Sequence, residues 1–205
     1  MRNAVSATVK RPLDRAAPGA KLRFMERLAE IAITPAGPGD SAELGDVHVA
    51  SWRQTYAGLL PQTYLAAMNP HLHARRWRHQ LTRARSGEVV LVAEGPKGLI
   101  GYCAGALVAR QAEGADAEVF TLYLVKSAQG IGLGRRLLAS MARVLAAQGA
   151  TSLRLWVLNG NQAARGFYER LGGRAVQERA VSGWGGGLKE TAYRWDDIKT
   201  LADQA

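Results

Sequence analysis

A glycine-rich turn lies between an apolar, strand-like segment and an amphipathic helix, and this junction constrains the fold more than any other feature of the chain. The turn covers 129–135 and has glycine at 130, 132 and 134. Residues 118–125 before it are rich in β-branched and aromatic side chains, whereas apolar residues recur at helical spacing from 133 to 145. The first amides of a helix have no internal partner and carry partial positive charge, and glycine lets an anion approach them without a Cβ clash. The sequence therefore predicts a site for a phosphate or pyrophosphate at this junction.

Two widespread phosphate-binding patterns do not match the turn. The dinucleotide fingerprint G-x-G-x-x-G, counted from Gly130, needs its third glycine where the chain has Arg135. The phosphate loop needs a lysine directly after a glycine, and no glycine of the turn is followed by one. A turn that is glycine-rich only for packing is the alternative that this segment leaves open.

The order of the predicted elements indicates a mixed α/β fold. A short strand includes Ile31 and Ile33, and a helix begins at Asp40 with Glu43 as its capping-box partner. Three strands before the glycine turn suit an antiparallel meander. The remaining predicted elements are a helix over 61–85, strands over 89–93, 99–108 and 118–125, a helix from 133 to Gly149, a strand at 153–157, a helix at 161–170, and strands around 174–180 and 188–195.

Length and charge indicate one domain with an appendage. A chain of 205 residues suits a single domain at roughly 100–200 residues per domain. Residues 1–28 are basic and lack a clear apolar period, which predicts a flexible N-terminal extension before a domain at 29–205. A mitochondrial transit peptide is the alternative interpretation of this leader.

The net charge of +10 does not by itself indicate a nucleic-acid groove. Residues 1–23 hold six basic residues and one acid, and so carry half of that charge. We therefore expect no specific nucleic-acid site, although a protein that binds nucleic acid through its leader remains an alternative. The single cysteine, and the lack of a long apolar run or an apolar secretory signal, favour a cytoplasmic protein with no membrane span.

No metal site is expected. Three histidines, at 71, 73 and 79, alternate with arginines, but 69–86 contains no Asp, Glu or Cys that could complete a site. This segment is predicted to be a solvated basic helix face. Cys103 lies among apolar residues and is expected to be a buried, inert thiol.

Two motifs together resemble the Gcn5-related N-acetyltransferase (GNAT) family. Gln129-x-x-Gly132-x-Gly134 matches the family's Q/R-x-x-G-x-G/A signature. Downstream, Asn161-x-x-Ala164-x-x-Phe167-Tyr168-x-x-x-Gly172 matches its second signature. The resemblance covers about 30–200. It implies a mostly antiparallel central sheet flanked by helices, with a splayed strand pair around a site for coenzyme A.

The resemblance also implies a function and residue roles. The chain would transfer acetyl directly from acetyl-CoA to an amino group of a small molecule or protein; the alternative is a non-catalytic acyl-CoA-binding regulatory module. Tyr168 would be the general acid, with ring packing beside Phe167 as the alternative. The residues implied to contact the cofactor are Leu122, Tyr123, Leu124, Gln129, Gly130, Ile131, Gly132, Leu133, Gly134, Arg135 and Asn161.

The base and the acceptor pocket are less well defined by the resemblance. Some protein N-terminal acetyltransferases of the family carry a glutamate on the strand before Asn161, where this chain has Trp156. Glu118 stands where other members place a carboxylate that works through water, and a solvated strand-end charge is its alternative role. Trp52 and Tyr56, four residues apart on one helix face, resemble acceptor contacts but could equally pack on the sheet. The acceptor stays unidentified, and a homodimer is one assembly the sequence allows.

Overall fold

The computed structural model describes residues 30–83, 87–108, 115–181 and 187–204. The predicted N-terminal extension at 1–28 lies outside these ranges. Within them, no helix is both long and apolar enough to cross a membrane.

A seven-stranded sheet forms the centre of the fold, in the order β1-β2-β3-β4-β5-β7-β6. All neighbouring strands are antiparallel except β4 and β5, which are parallel. This mixed, mostly antiparallel sheet confirms the predicted fold class. The strands are β1 (Ala32–Pro35), β2 (Glu88–Gly95), β3 (Gly98–Leu107), β4 (Ala117–Leu124), β5 (Leu153–Leu158), β6 (Arg174–Ala180) and β7 (Lys189–Trp195).

Helices cover both faces of the sheet. They are α1 (Ser41–Thr55), α2 (Gln62–Ala67), α3 (Pro70–Thr82), α4 (Leu133–Ala147), α5 (Gln162–Arg170) and α6 (Lys199–Ala202). On one face, Leu44 of α1 and Trp77 of α3 pack on Tyr102 of β3. On the other, the leucines of α4 pack on residues such as Cys103 of β3 and Val119 of β4.

Helix α4 shows why the sequence pattern was informative. Leu133, Leu137, Leu138, Met141 and Leu145 are all fully buried, so the apolar period predicts the buried face of this helix correctly. The helix ends beside Gly149, whose φ of +100° is a left-handed conformation that favours glycine.

The predicted helix at 61–85 is wrong in one respect, because the structure divides it into α2 and α3. Pro70 disfavours a helical residue before it, and Asn69 is extended with φ −113° and ψ 116°. The Asn69 side chain then accepts a hydrogen bond from the His71 amide at 2.9 Å and caps α3. The short helix α6 was not predicted.

The predicted capping box between Asp40 and Glu43 is also wrong. The Asp40 carboxylate accepts a hydrogen bond from the Gly37 amide at 2.7 Å, within the preceding 3-10 turn. Glu43 instead accepts a hydrogen bond from the Leu99 amide at 2.7 Å, which ties α1 to β3. A tertiary contact therefore uses the side chain that the local pattern assigned to a cap.

Candidate functional site

A cleft opens where β4 and β5 separate. The two strands pair over only three positions, from Ala117 opposite Leu153 to Val119 opposite Leu155. Beyond them β4 continues to Leu124 and β5 to Leu158, and a cleft of about 800 Å³ lies between them. This geometry agrees with the splayed strand pair that the resemblance implies.

The glycine-rich turn forms one end of the cleft. Gly130 and Gly132 have φ of +75° and +80°, a left-handed conformation that glycine adopts at little cost. Gly132 is the N-cap of α4 and provides no side-chain cap, so the first amides of this helix are left for a ligand or water. The Gln129 side chain donates a hydrogen bond to the Leu124 carbonyl at 3.1 Å and so ties the turn to the end of β4. The arrangement suits a phosphate at the start of a 15-residue helix.

A third glycine of the turn, Gly134, faces α5 and the end of β4. A Cβ at Gly134 would lie 3.4 Å from the Phe167 ring of α5 and 3.6 Å from Leu124. These are ordinary van der Waals distances, so the position accommodates an alanine, and only a side chain longer than alanine would press on the Phe167 ring.

Most of the predicted cofactor residues line this cleft, and two do not. Leu133 is fully buried in the core under α4. Ile131 lines a separate hollow of about 320 Å³. The predicted residues that do line the cleft are Leu122, Tyr123, Leu124, Gln129, Gly130, Gly132, Gly134, Arg135 and Asn161.

Asn161 has a structural role within the cleft wall. Its side-chain oxygen accepts a hydrogen bond from the Ala164 amide at 3.2 Å, which caps α5. The cap fixes the start of the helix that carries Tyr168. Asn161 therefore positions the predicted acid as well as lining the cleft.

Tyr168 lies in the cleft wall with its ring packed among aromatic neighbours. Ring centroids of Phe167, Tyr193 and Trp195 lie 5.1, 6.1 and 6.2 Å away. Burial raises the pKa of Tyr168 well above its ordinary value, so the phenol stays protonated at neutral pH. Among the described residues, none is hydrogen-bonded to its hydroxyl. The hydroxyl proton is therefore not committed to another described side chain.

Glu118 lies outside the cleft lining and is engaged elsewhere. The parallel register places it opposite Arg154, and the Arg154 Nε donates to the Glu118 Oε2 at 2.7 Å. The Glu118 side chain is only 16% exposed, and the Arg154 side chain is only 9% exposed. The geometry gives no support to the predicted role of Glu118 as a base and assigns it to a nearly buried ion pair.

One wall of the cleft is formed by aromatic side chains. Tyr56, at the end of α1, lines it and shares a hydrogen bond of 2.7 Å with the Tyr123 hydroxyl. Trp52 packs against Tyr56 at 4.9 Å between ring centroids but does not line the cleft itself. Of the two predicted acceptor contacts, only Tyr56 therefore reaches the cleft.

His48 was not predicted and sits behind this wall. Its Nδ1 is 2.6 Å from the Tyr102 hydroxyl. Burial, followed by the charges of His73 and Arg76, lowers the pKa of His48 to about 4, so its ring is neutral at neutral pH and shares a hydrogen bond with the Tyr102 hydroxyl. His48 lies four residues before Trp52 and eight before Tyr56, and this spacing could have predicted that all three rings share one helix face.

The structure also tests the predictions for the histidines of α3 and for Cys103. His73 stacks on His48 at 4.3 Å between ring centroids, so it does not belong to the solvated basic face of α3, whereas His71 and His79 are exposed as predicted. Cys103 is fully buried, and burial raises the pKa of its thiol, which confirms an inert cysteine.

Arg53, which follows Trp52, acts as a helix cap. It donates to the backbone carbonyls of Leu65, Ala66 and Met68 at 2.9–3.2 Å, at the end of α2. Among the described residues, no group of three or more His, Cys, Asp and Glu side chains could hold a metal ion.

Sequence comparisons identify relatives over most of the chain. The family model described as the acetyltransferase (GNAT) family matches residues 46–173. An uncharacterized N-acetyltransferase, YuaI, from Bacillus subtilis is 32% identical over 163 residues, which cover 79% of this chain and 91% of that protein. A probable N-acetyltransferase from Mycobacterium tuberculosis is 30% identical over 162 residues, which cover 76% of this chain and 88% of the relative.

Solved structures share the fold at lower sequence identity. The PaiA N-acetyltransferase from Thermoplasma acidophilum, solved in complex with coenzyme A, has a TM-score of 0.66 and 22% identity, with coverage of 80% of this chain and 97% of that one. YncA, a putative acetyltransferase from Salmonella typhimurium solved with acetyl-CoA, has a TM-score of 0.61 and 17% identity, with coverage of 82% and 94%.

Proposed function

The chain belongs to the GNAT family of acetyltransferases, and on this basis we propose that it transfers the acetyl group of acetyl-CoA directly to an amino group. The observation that carries the proposal is the position of Tyr168. Tyr168 stays protonated at neutral pH, and it lines the same cleft as the glycine turn at the start of α4. A module that only binds acyl-CoA needs the turn but not a proton donor.

The cleft fits an elongated, anionic thioester. The amides at the start of α4 suit the pyrophosphate, and Arg135 and Lys126 add positive charge to the lining at that end. Residues 120–124 of β4 extend beyond the pairing with β5, and they suit the amide groups of the pantetheine arm as a further strand would. Acetyl-CoA, when bound there, supplies an activated acetyl group on a sulfur leaving group.

Tyr168 holds the proton that a departing thiolate needs. Burial raises the pKa of Tyr168, so its phenol is a weak acid. Such a phenol gives up its proton readily only to a group that becomes a stronger base, or to a group held in contact with it. The packing of Tyr168 against Phe167, Tyr193 and Trp195 fixes the ring, so the hydroxyl is positioned before substrate binds. Its proposed role is that of a positioned general acid.

Replacement of Tyr168 by phenylalanine tests this function. Tyr168→Phe removes the proton and keeps the ring, so we expect kcat to fall by about 10–10³-fold with little change in acetyl-CoA affinity. Thiol release with a panel of primary amines reports kcat, and calorimetry reports the affinity. Tyr64→Phe is the matched control, because Tyr64 lies outside the cleft lining.

Two outcomes would contradict the proposal in different ways. If Tyr168→Phe keeps the wild-type kcat when chemistry limits turnover, the tyrosine only packs. If the wild-type protein binds acetyl-CoA but acetylates none of the amines, the binding-module alternative is favoured.

A further inference from the structure

The charges that line the cleft all have the same sign. Among the described lining residues, Lys126, Arg135 and Arg170 are the ionised side chains, and the lining contains no carboxylate and no imidazole. Lys126 and Arg135 lie at the end that suits the pyrophosphate, and none of the described lining residues is a carboxylate or imidazole that could take a proton from an ammonium group.

Two carboxylates lie near the cleft, and each forms an ion pair with an arginine. Glu118 pairs with Arg154 at 2.7 Å. Glu190 of β7, close enough to Tyr56 that its charge helps to raise the pKa of that phenol, pairs with Arg179 at 2.6 Å. The Arg179 guanidinium also lies 3.8 Å above the Trp156 ring, in the cleft wall. Both carboxylates are therefore held by a cation, and neither lines the cleft.

The two imidazoles behind the aromatic wall are poor bases. His48 is occupied by the Tyr102 hydroxyl, and burial lowers its pKa to about 4. Burial and the charge of Arg76 also lower the pKa of His73, which is stacked on His48. Tyr56 and Tyr123 are phenols whose pKa values burial raises.

The proton balance of acetyl transfer then depends on whether the acceptor is a neutral amine or an ammonium ion. A neutral amine forms the C–N bond as the C–S bond breaks; nitrogen loses one proton and sulfur gains one. Tyr168 can give its proton to sulfur and be restored, through water, by the proton that leaves nitrogen, so no other base is needed. An ammonium group carries one further proton, for which the described residues that line the cleft provide no acceptor.

We propose that the enzyme binds its acceptor as the uncharged amine, which has lost its proton to bulk water, and that its substrates are weakly basic amines such as α-amino groups or aryl amines rather than lysine-type alkyl amines. This inference rests on the proposed function. The oxygen of Tyr56, held by its 2.7 Å bond to Tyr123, is the group in the aromatic wall that accepts an N–H from the neutral amine. That hydrogen bond orients the nitrogen without requiring charge.

The selectivity follows from the free-base fraction. An α-amino group with a pKa of about 7.8 is roughly one-third neutral at pH 7.5, whereas a lysine side chain near 10.4 is about 0.1% neutral. The availability of the reactive form therefore differs by about 300-fold. Since more basic amines are also better nucleophiles, we expect at least a tenfold preference for the α-amine in kcat/KM at pH 7.5.

The test compares pH profiles of kcat/KM for two acceptors. An alanine-initiated peptide without lysine presents an α-amine, and Nα-acetyl-lysine amide presents an alkyl amine; aryl amines extend the series. For each acceptor, kcat/KM should rise tenfold per pH unit and level off at that acceptor's own pKa, so the inflections of the two profiles should differ by about 2.5 pH units. The Glu118→Gln and Glu190→Gln variants should keep these inflections.

Several results would overturn the inference. The first is a pH profile of kcat/KM with the same inflection for all acceptors, and the second is a preference for the lysine derivative at pH 7.5. The third is an inflection that disappears in Glu118→Gln or Glu190→Gln. Each of these results indicates a base on the enzyme. If no amine is acetylated at any pH although acetyl-CoA binds, the proposed function itself fails. The two failures are therefore distinguishable.

Discussion

Removal of the Glu118 charge separates the two roles that this residue could have. In Glu118→Gln the side chain keeps its shape and one hydrogen-bond acceptor, but Arg154 loses its counter-charge. Arg154 is only 9% exposed in its side chain and lies 2.7 Å from the carboxylate. Removing one partner of a buried ion pair destabilises a protein by about 3–5 kcal/mol. Because Glu118→Gln retains a hydrogen-bond acceptor, we expect it to lower the free energy of unfolding by about 2–3 kcal/mol.

The expected change is large enough for thermal unfolding to measure. For a chain of this size each kcal/mol lowers Tm by about 2–4 °C, so Glu118→Gln should melt about 5–10 °C below the wild type. Its kcat, measured well below the melting transition, should fall less than tenfold, whereas loss of a general base would cost about 10²–10⁴-fold.

A double variant is the matched control. Glu118→Leu with Arg154→Met removes both charges and leaves apolar side chains of similar size, so most of the lost stability should return. The ion-pair interpretation is refuted if Glu118→Gln melts like the wild type while kcat falls by 100-fold or more. That result would restore Glu118 as the base.

The remaining predictions concern the cofactor turn, the buried imidazole and the N-terminal extension. Gly132→Val forces a β-branched residue into a left-handed conformation at the start of α4, and calorimetry should show acetyl-CoA binding weakened at least tenfold in the folded variant; unchanged affinity would contradict the phosphate site. Because the pKa of His48 is about 4 in the folded protein and 6.5 in an unfolded peptide, stability should fall by up to about 3 kcal/mol as pH decreases from 6.5 to 4. The free energy of unfolding of His48→Gln, measured by denaturation, should depend less on pH than that of the wild type. An equal pH dependence would show that another group causes the loss of stability. Deletion of residues 1–28 should leave Tm within a few degrees and acetyl-CoA affinity unchanged, since this segment has no apolar period; a large loss of stability would show that it packs on the domain.

Local patterns in the sequence were sufficient for the parts of the fold that short-range physics determines. The leucines of α4 repeat with the helical period, so their burial follows from the sequence alone. The glycines at 130 and 132 permit a left-handed turn that other residues rarely adopt, and both have positive φ in the structure. The order of strands and helices followed from the same kinds of signal, with α2, α3 and α6 as the exceptions.

The chemistry of the site depended on contacts between distant parts of the chain. Glu118 and Arg154 are 36 residues apart, and only the parallel register of β4 with β5 makes them partners. Tyr56 and Tyr123 are 67 residues apart, and they meet because α1 packs across the sheet. The sequence by itself determined which groups could bind an anion and donate a proton. The tertiary structure decided which carboxylates and imidazoles are already paired, because a charge or a hydrogen bond is satisfied by whatever the fold brings within about 3 Å, and sequence distance carries no information on that.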